Sequence, residues 1–378
     1  MTRDPGPLRV AMVAGTLARG GAEKQLVYMV RALKADGADV QVFSLTRGEY
    51  YEAALAEMAV QPNWVGRHAN PVLRAGALAA RFRSWQPDVV QAGHFYVNLH
   101  VAIAAATAGA LSLGSVRSDA IRDVRRTGAF GRASLRAPRG LVVNSHAARA
   151  NAAQLGCRPE RLLVVPNVID LAAFDAARTG SARVAGAGEG FCATVVARLI
   201  DSKRLERFLH ALALARREVP EIQGRIAGDG PERGRLERLA ADLGLLPQGL
   251  QFLGEQANVP AVLSDADVLM LTSDQEGFPN VLLEAMAARL PVICTPAGDA
   301  ARIVLDGNTG FVVDGEPPLL ASRLVALARD RQLARRMGAA GRARVGREFS
   351  DAGLGTSLRT AYASARPWAP RRVRAVLA

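Results

Sequence analysis

The sequence predicts an α/β protein made of two successive doubly wound domains, and three observations support this class. Short apolar segments rich in Val, Ile and Leu alternate with helical patterns along the 378-residue chain. The length suits two domains. The alternation stops once, among small and flexible residues, and then restarts. We therefore predict a first domain over 1–175, a linker over 176–190, a second domain over 191–350, and a C-terminal helix and basic tail over 351–378.

The first domain opens with an apolar strand at 8–14, a glycine-rich turn, and a helix whose apolar residues recur at helical spacing. Further strands, most of them separated by helices, are predicted at 40–45, 87–93, 141–145 and 161–167. Strands separated by helices pair in parallel, so we expect a sheet covered on both faces.

The second domain repeats this order. Strands are predicted at 191–199, 222–228, 250–254, 267–273 and 291–295, with the main helices at 203–218, 232–243 and 280–288. In open parallel sheets, ligands bind at the carboxyl ends of strands. We therefore expect a ligand cleft between the two domains.

Composition excludes several classes of protein. Hydrophobic residues make up 49% and charged residues 22%, which excludes wholesale disorder. Cys157, Cys192 and Cys294 are odd in number and lack CxxC spacing, so neither a disulfide framework nor a structural zinc site is expected. The first residues do not form a signal peptide, and no apolar run reaches the roughly 20 residues of a membrane span. The predicted location is the cytoplasm.

The net charge of +13 is unevenly distributed. Residues 1–180 hold 22 basic and 13 acidic side chains, a net charge of +9. One segment is especially basic and contains Arg117, Arg122, Arg125, Arg126, Arg132, Arg136 and Arg139. Such a patch attracts nucleic acid, anionic lipid or phosphorylated substrates, unless it is an ordinary solvated face. Nucleic acid is the weakest specific option, because aromatic residues that could stack on bases make up only 5% of the chain.

Common catalytic motifs are missing from the sequence. It contains no GxxxxGK[ST], HExxH or GxSxG motif, and no GxGxxG between a strand and a helix. These absences disfavour a P-loop NTPase, a zinc protease, an α/β-hydrolase and a standard NAD enzyme.

Two cations flank a predicted strand–helix turn in the second domain. Arg198 stands where the strand ends, and Lys203 stands where the next helix begins. Cations beside a helix N-terminus suit a pyrophosphate group. A solvated lysine and an arginine paired with Asp201 are the simpler interpretation.

Two glutamates surround a second such turn. Glu276 precedes the predicted helix, and Glu284 lies about one turn inside it. A carboxylate accepts two hydroxyl hydrogen bonds at once, as on a sugar or a ribose diol. The free N–H groups of the helix start suit an anion, so the pattern fits a nucleotide-linked sugar. An ordinary helix start is the alternative.

These segments resemble the nucleotide-sugar-binding half of the retaining glycosyltransferases of family 4, also called glycosyl transferases group 1, which have the GT-B fold. The resemblance rests on VARLIDSKRLERFLHALA, IAGDGPERGRLERLAADLGL, FLG and SDADVLMLTSDQEGFPNVLLEAMAARLPVICT, including the E-x7-E spacing. The first half fits through GGAEKQLVYMVRAL, PDVV, VVNSHAAR and VVPNVID, so the resemblance covers residues 8–345.

The resemblance implies specific roles. Arg198 and Lys203 would neutralise the donor diphosphate, approached from the first domain by Gly20 and Gly21. Glu276 would hold the donor sugar at the reacting face, and Glu284 would hold the ribose. The backbone of Gly277, Phe278, Pro279 and Asn280 would shape the sugar and phosphate pocket. Phe252 and Leu253 would lie near the nucleobase, and Gly228–Pro231 would form part of the wall on that side.

The sequence departs from the family pattern at two positions. Where family members have an HxH pattern that touches the donor sugar, this chain has Gln91-Ala92-Gly93-His94, so His94 is a catalytic candidate displaced by one position. Arg204 replaces the glycine that often follows the motif lysine.

The resemblance implies transfer of a hexosyl-type sugar, with retention, from a UDP-, GDP- or ADP-sugar to a glycan or lipid-linked acceptor, without a metal or another cofactor. Surface polysaccharide or lipid-linked glycan synthesis is the expected setting, with docking of the basic first domain on the inner membrane face. Another GT-B sugar-nucleotide enzyme, such as an epimerase, and a basic nucleic-acid-binding protein remain the alternatives. A phosphorylase is disfavoured, because the only lysines besides Lys203 are Lys24 and Lys34 on the first helix.

Overall fold

A computed structural model describes residues 6–67, 70–117, 120–179 and 190–377. The chain forms two compact units. The first contains the described residues up to Val168 together with those from Asp351 onward, and the second spans Ile169–Ser350. The chain thus leaves the first unit before the predicted boundary at 175, and residues 351–377 join that unit. Most of the predicted linker, residues 180–189, lies outside the described residues.

The first unit contains a seven-stranded parallel sheet with the order β3-β2-β1-β4-β5-β6-β7. Its strands are β1 (Arg9–Ala14), β2 (Asp39–Ser44), β3 (Asn63–Trp64), β4 (Val89–Ala92), β5 (Leu111–Val116), β6 (Gly140–Val143) and β7 (Leu162–Val164). The helices between them are α1 (Gly21–Ala35), α2 (Glu52–Glu57), α3 (Pro71–Trp85), α4 (Asn98–Thr107), α5 (Ala120–Thr127), α6 (Ala129–Arg136) and α7 (His146–Gln154).

Strand β1 shows why both faces of this sheet are covered. Its side chains alternate between the faces, as in any strand. Val10 and Met12 belong to a core built with α1, whereas Ala11 and Val13 belong to a second core built with α3 and α4. Every one of these residues is fully buried. A strand buried on both faces has a continuous apolar sequence, which is why it is easily predicted.

The second unit contains a six-stranded parallel sheet with the order β10-β9-β8-β11-β12-β13. Its strands are β8 (Cys192–Val196), β9 (Gln223–Ala227), β10 (Leu250–Gly254), β11 (Val268–Leu271), β12 (Val292–Cys294) and β13 (Gly310–Val312). Its helices are α8 (Leu171–Thr179), α9 (Leu205–Glu218), α10 (Arg233–Asp242), α11 (Val259–Ser264), α12 (Asn280–Ala287), α13 (Ala300–Ile303), α14 (Pro317–Arg329) and α15 (Arg331–Glu348). The two sheets confirm the predicted pair of doubly wound domains.

The C-terminal segment completes the core of the first unit. It contains α16 (Leu354–Ser364) and α17 (Arg371–Arg374). Leu358 and Tyr362 of α16 are buried in the same core as Met29 of α1. The Tyr362 hydroxyl donates a 2.6 Å hydrogen bond to Oε1 of the fully buried Gln91.

Arginines of this segment bind backbone carbonyl oxygens of the first unit. Arg372 donates 2.8 Å hydrogen bonds to the carbonyls of Gly109, Ala108 and Pro87, which lie around the end of α4. Arg374 donates to the carbonyls of Ala369 and Pro367 within the segment. Helix ends leave carbonyl oxygens unsatisfied, and these guanidinium groups supply the missing donors. The predicted basic tail is therefore a structural element.

Within the described ranges, no helix combines the length and the apolar character that crossing a bilayer requires. Cys157, Cys192 and Cys294 are all buried and free, and burial raises the pKa of each thiol, to about 12 for Cys294.

We expect Tyr362→Phe to lower the free energy of unfolding by about 1–3 kcal/mol, because the buried Gln91 Oε1 would lose its O–H donor. Urea unfolding followed by circular dichroism measures the change. Tyr50→Phe is the matched control, because Tyr50 is exposed and the same loss should cost less than about 0.5 kcal/mol. Equal urea midpoints for Tyr362→Phe and the wild type would show that the hydrogen bond does not secure the C-terminal segment.

Candidate functional site

The turn after β8 carries the two predicted diphosphate-binding cations. Arg198 is exposed and stands two residues beyond the strand, whereas Lys203 ends a short 3₁₀ turn that leads to α9. Arg204 follows with a φ of 51°, in the left-handed region that favours glycine. This conformation explains why glycine is common at the position. The Arg204 side chain lies 2.9 Å from the Glu206 carboxylate.

Lys203 and Glu276 form an ion pair at the carboxyl edge of the sheet. The Lys203 Nζ lies 2.5 Å from Glu276 Oε1, and the Ser273 hydroxyl donates to the same oxygen at 2.7 Å. Both side chains of the pair are largely buried, with 22% and 11% exposed. Glu276 Oε2 forms no hydrogen bond or ion pair in the part of the chain that the structure describes. This oxygen is therefore open to a ligand hydroxyl.

The loop after β11 is fixed from several sides. Thr272 donates to the carbonyl of Lys203 at 3.0 Å, and Thr295 donates to the carbonyl of Ser273 at 2.6 Å. Gly298 has a φ of 58°, and a Cβ there would lie 2.5 Å from the Glu276 carbonyl oxygen. The close approach of Gly298 thus holds the backbone of Glu276 in place.

Helix α12 begins directly after this loop, with Pro279 as its N-cap and Asn280 as its first residue. Glu284 lies one turn inside the helix and keeps intermediate exposure, so the E-x7-E spacing places Glu276 in the loop and Glu284 on the helix. Phe278 is buried in the core, with its ring centroid 6.0 Å from that of Phe349. The Phe278 side chain therefore packs in the core of the second unit.

A cavity of about 340 Å³ opens beside Arg198, at the carboxyl ends of β8 and β9. Gly228 lines it with a φ of 137°, and a Cβ there would lie 1.9 Å from the Ala197 carbonyl oxygen. The full lining is Val196, Ala197, Arg198, Ala227, Gly228, Asp229, Glu255, Gln256 and Val259.

The predicted nucleobase residues lie on β10, next to this cavity. Phe252 packs against the core, and the Leu253 carbonyl accepts a 2.7 Å hydrogen bond from the Gln256 amide. From this part of the chain, the cavity lining includes Glu255 and Gln256, the two residues that follow Gly254, and the sequence analysis did not predict them. Their position directly after the FLG motif could have identified them from the sequence.

The glycine-rich turn of the first unit leads into α1. Gly20 is the N-cap, and Gly21 is the first helical residue. A Cβ on Gly20 would lie 2.3 Å from Glu23 Oε2, so the glycine leaves room for this carboxylate. Glu23 is buried, with 8% of its surface exposed. Glu23 lies within the GGAEKQ segment, but the sequence pattern predicted no role for it.

His94 binds Glu23. The Gly15 N–H donates to His94 Nδ1 at 3.1 Å, and His94 Nε2 lies 3.0 Å from Glu23 Oε1. Because Nδ1 accepts a hydrogen bond, the ring proton belongs on Nε2, which donates it to the carboxylate. Both ring nitrogens are thus engaged inside the first unit. His94 orients Glu23 in this structure.

Tyr96 stacks on His94 with ring centroids 5.4 Å apart. A Cβ on Gly15 would lie 2.2 Å from the Tyr96 ring, so glycine is required where β1 ends. Burial, followed by the negative charges of Glu23 and Glu49, raises the pKa of Tyr96 to about 12. The hydroxyl therefore keeps its proton at neutral pH.

Glu49 anchors the turn that follows β1. Its carboxylate accepts hydrogen bonds from the Leu17 N–H and from the hydroxyls of Thr16 and Thr46. Partial burial acts to raise the pKa of Glu49, but these hydrogen bonds and nearby His94 outweigh it and lower the pKa below its usual 4.5.

The arginine-rich segment is divided by the fold. Arg125, Arg126 and Arg132 are exposed on α5 and α6. Arg139 donates to the Trp368 carbonyl at 2.7 Å, whereas Arg117 turns inward. Arg122 and Arg136 are also exposed on these helices.

Two family models match the sequence. The model described as Glycosyltransferase Family 4 matches residues 19–173, and the model described as Glycosyl transferases group 1 matches residues 183–344. The chain belongs to glycosyltransferase family 4.

Curated relatives of this family 4 chain align with less than half of it. N-acetyl-alpha-D-glucosaminyl L-malate synthase of Bacillus anthracis is 33% identical over 163 residues, 42% of each chain. A GDP-mannose-dependent phosphatidylinositol monomannoside mannosyltransferase of Mycolicibacterium smegmatis is 35% identical over 166 residues, 42% of this chain and 44% of the relative. The chain thus spans less than half the length of these relatives.

Solved structures match this family 4 chain along nearly its whole length. HepE of Anabaena in complex with UDP superposes with a TM-score of 0.78 at 20% identity, covering 94% of this chain and 100% of HepE. The likeness confirms the predicted GT-B fold.

The family 4 chain thus brings Lys203 together with Glu276, and Arg198 with the cavity. It brings His94 together with Glu23 beside Gly20. Within the described ranges, no group of three or more His, Cys, Asp or Glu side chains is arranged to hold a metal ion.

We expect Glu49→Gln to destabilise the protein by about 2 kcal/mol at neutral pH, because the charged acceptor of several hydrogen bonds is lost. A lowered carboxyl pKa contributes stability above the unfolded-state pKa and loses it as the pH falls through the folded-state pKa. The difference between wild type and variant should therefore shrink as the pH falls below 4.5.

Chemical unfolding between pH 7 and pH 3 measures this difference. Glu57→Gln is the control, since Glu57 is exposed at the end of α2. A difference that does not depend on pH would show that the Glu49 charge does not hold the turn.

Proposed function

We propose that this protein is a retaining glycosyltransferase that moves a hexosyl-type sugar from a nucleoside-diphosphate sugar to an acceptor hydroxyl. The observation that carries the proposal is that the Lys203–Glu276 pair and the 340 Å³ cavity lined by Arg198 both lie at the carboxyl edge of the second sheet. Cations, a carboxylate and a cavity at the carboxyl edge of one sheet match the three parts of such a donor. Membership in family 4 supports the same reaction class.

The diphosphate is the part of the donor on which negative charge accumulates as the bond to the sugar breaks. Arg198 and Lys203 would stabilise this charge, together with the free N–H groups at the start of α12. Arg198 is exposed, and its side chain forms no hydrogen bond or ion pair within the described ranges, so its guanidinium is available. The proposed step needs no cofactor, because these groups supply the positive charge.

The sugar and the nucleoside would lie on either side of the diphosphate. Glu276 would accept hydroxyl hydrogen bonds through Oε2, since Lys203 and Ser273 hold Oε1. The cavity would take the nucleobase, and Glu284 would bind the ribose. Gly20, Gly21 and His94 remain predicted donor contacts from the first unit, with His94 acting through Glu23.

The acceptor is proposed to be a glycan or a lipid-linked sugar. Relatives support this class through their names, which include a phosphatidylinositol monomannoside mannosyltransferase and a lipopolysaccharide core glycosyltransferase. We place the reaction in the cytoplasm, in surface polysaccharide or glycolipid synthesis.

We expect Lys203→Ala to weaken the binding of UDP or GDP more than tenfold, because a charge-assisted phosphate contact is lost. Calorimetric titration of the full chain with UDP, GDP and ADP measures the affinities and identifies the preferred base. Arg238→Ala, which removes an exposed cation on α10, should leave them unchanged. Wild-type affinity in Lys203→Ala would remove Lys203 from the donor site. No binding of any of the three nucleotides would overturn the proposed function.

We expect Glu276→Gln to reduce turnover at least a hundredfold while changing the affinity for the bare nucleotide less than threefold, because Glu276 would contact only the sugar. Glu284→Ala should weaken nucleotide binding as well, since it removes the ribose contact. Steady-state kinetics with the preferred donor, combined with nucleotide titration, separates the two profiles. Identifying the product also distinguishes a glycosyltransferase, which transfers the sugar to an acceptor, from an epimerase. Identical profiles would contradict this division of roles.

We further propose that the first unit docks on an anionic membrane surface. Exposed Arg125, Arg126 and Arg132 lie on α5 and α6, close to the 39% exposed Phe130. Each basic residue near such a surface contributes on the order of 1 kcal/mol, so a few suffice for reversible binding. Arg117 points inward and takes no part in this patch.

Replacing Arg122, Arg125, Arg126 and Arg132 by Ser should reduce co-sedimentation with anionic vesicles at least tenfold at low salt. The control replaces the exposed Arg238, Arg335 and Arg336 of the second unit and should sediment like the wild type. Either no binding of the wild type or unchanged binding of the first variant would refute membrane docking through this patch.

A further inference from the structure

Arg117 is a deeply placed cation that the proposed donor chemistry does not use. It directly follows β5, at the carboxyl edge of the first sheet, and its side chain turns into the unit. Its Nη1 donates to Asn167 Oδ1 at 2.9 Å, and its Nη2 points at the Met29 sulfur at 3.2 Å. Its Nε is buried without a hydrogen-bond partner.

This environment leaves the guanidinium charge uncompensated. A guanidinium carries five N–H donors, and a thioether sulfur is only a weak acceptor. Within the described ranges, no carboxylate lies within ion-pair distance of Arg117. Burial lowers the pKa of Arg117 to about 10, so the group is still charged at neutral pH. A buried charge without a partner lowers the stability of the fold, and residues that are unfavourable for stability in this way concentrate at functional sites.

Arg372 of the same unit shows the ordinary arrangement. Its donors meet three carbonyl oxygens at 2.8 Å, and Asp88 lies 3.9 Å away. The contrast shows that this fold can satisfy an inward-facing guanidinium where its role is structural.

A second unsatisfied group lies beside Arg117. Asn144 follows β6, and its Nδ2 donates to the Arg117 carbonyl at 3.3 Å. The residue is 2% exposed, and its Oδ1 has no hydrogen-bond partner in the described part of the chain. Strand register pairs Val116 with Val143, which brings the two residues to adjacent strand ends. One spare donor of Arg117 and one spare acceptor of Asn144 are thus carried by residues at adjacent strand ends.

We infer that Arg117 binds an oxyanion, a carboxylate or phosphate of the acceptor, while Asn144 accepts a hydrogen bond from a neighbouring ligand hydroxyl. The planar guanidinium matches both oxyanions through paired hydrogen bonds. Arg117 as a whole residue keeps intermediate exposure, although its Nε is buried. The identification with the acceptor rests on the proposed function, but the oxyanion site itself does not.

The position suits an acceptor near His94. Strands β4 and β5 are neighbours in the sheet, and adjacent strands lie about 4.8 Å apart. An oxyanion on Arg117 would therefore hold an attached hydroxyl at the same carboxyl edge as the Glu23–His94 pair.

Thermal unfolding of the full chain tests the site without requiring catalysis. Sodium phosphate and sodium succinate serve as the two oxyanion probes, each against sodium chloride at equal ionic strength. The Lys203→Ala background removes a competing phosphate site. A ligand that binds only the folded state raises the unfolding temperature. We expect at least one probe to raise it, and the probe that acts identifies phosphate or carboxylate as the preferred group.

Arg117→Met is the decisive variant, because methionine fills a similar volume without charge. It should abolish the response to the probe while leaving the unfolding temperature of the free protein equal to or above that of the parent. Arg372→Met is the matched control, and it should lower the unfolding temperature by several degrees while keeping the response. Arg117→Gln provides a second test, since it can still donate to Asn167.

Three results would overturn the inference. The first is that neither probe stabilises the parent protein, and the second is that the response persists in both Arg117 variants. The third is that both variants unfold at temperatures as low as Arg372→Met, which would make Arg117 a structural residue. UDP or GDP titration of the wild-type chain runs in parallel, so failure of the oxyanion site and failure of the proposed function give different patterns.

Discussion

The central position of the first strand in each parallel sheet determines where the polar side chains of this protein meet. β1 lies between β2 and β4, and β8 lies between β9 and β11. The strand order reverses at such a strand, so its connection and that of its other neighbour run to opposite sides. The turn after this strand and the turn after the neighbour that comes later in the chain therefore border a crevice at the carboxyl edge. Gly15 and His94 occupy these turns in the first unit, and Lys203 and Glu276 occupy them in the second.

Strands buried by large apolar residues could be predicted from the sequence, but β5 could not. Its sequence, LSLGSV, alternates Leu with Ser and Gly, which resembles a half-exposed segment, yet every residue is buried. The reason is non-local. A Cβ on Gly114 would lie 2.6 Å from Leu141 and 2.9 Å from Pro138, and Ser112 accepts from the backbone of Arg139. Small residues here allow distant segments to approach, and no local pattern shows that approach.

The same distinction separates the predicted from the missed site residues. Lys203 and Glu276 stand at strand–helix turns whose chemistry is visible in a few consecutive residues. Arg117 was predicted as part of a basic surface, because its partners Asn167 and Met29 lie 50 and 88 positions away. Glu23 sits at the third position of α1, where an acidic residue is ordinary, and only its contact with His94 distinguishes it.

Arginine serves three purposes in this chain, and the net charge of +13 does not separate them. Arg372 and Arg374 supply donors to backbone carbonyls, and Arg161 does the same at the end of α6. The donors of these guanidinium groups are engaged in hydrogen bonds within the protein, so the groups contribute little to a surface that could bind anions. Exposed arginines on α5 and α6 form the second class.

Arginines at the carboxyl edges form the third class, and Lys203 occupies the same kind of position. The charges of these edge cations are stabilised in two different ways. Lys203 is neutralised by Glu276 within its own unit, so a diphosphate bound as proposed would have to share the ammonium with the carboxylate. Such a pair keeps the cation ordered before the ligand arrives, at the cost of competition with the ligand. Arg117 has no carboxylate to displace, and the fold bears the cost of its desolvation instead. A ligand oxyanion would then gain the full charge of the guanidinium. On the proposed assignment, the unpaired Arg117 would bind the weaker anion, and the paired Lys203 would bind the strongly charged diphosphate.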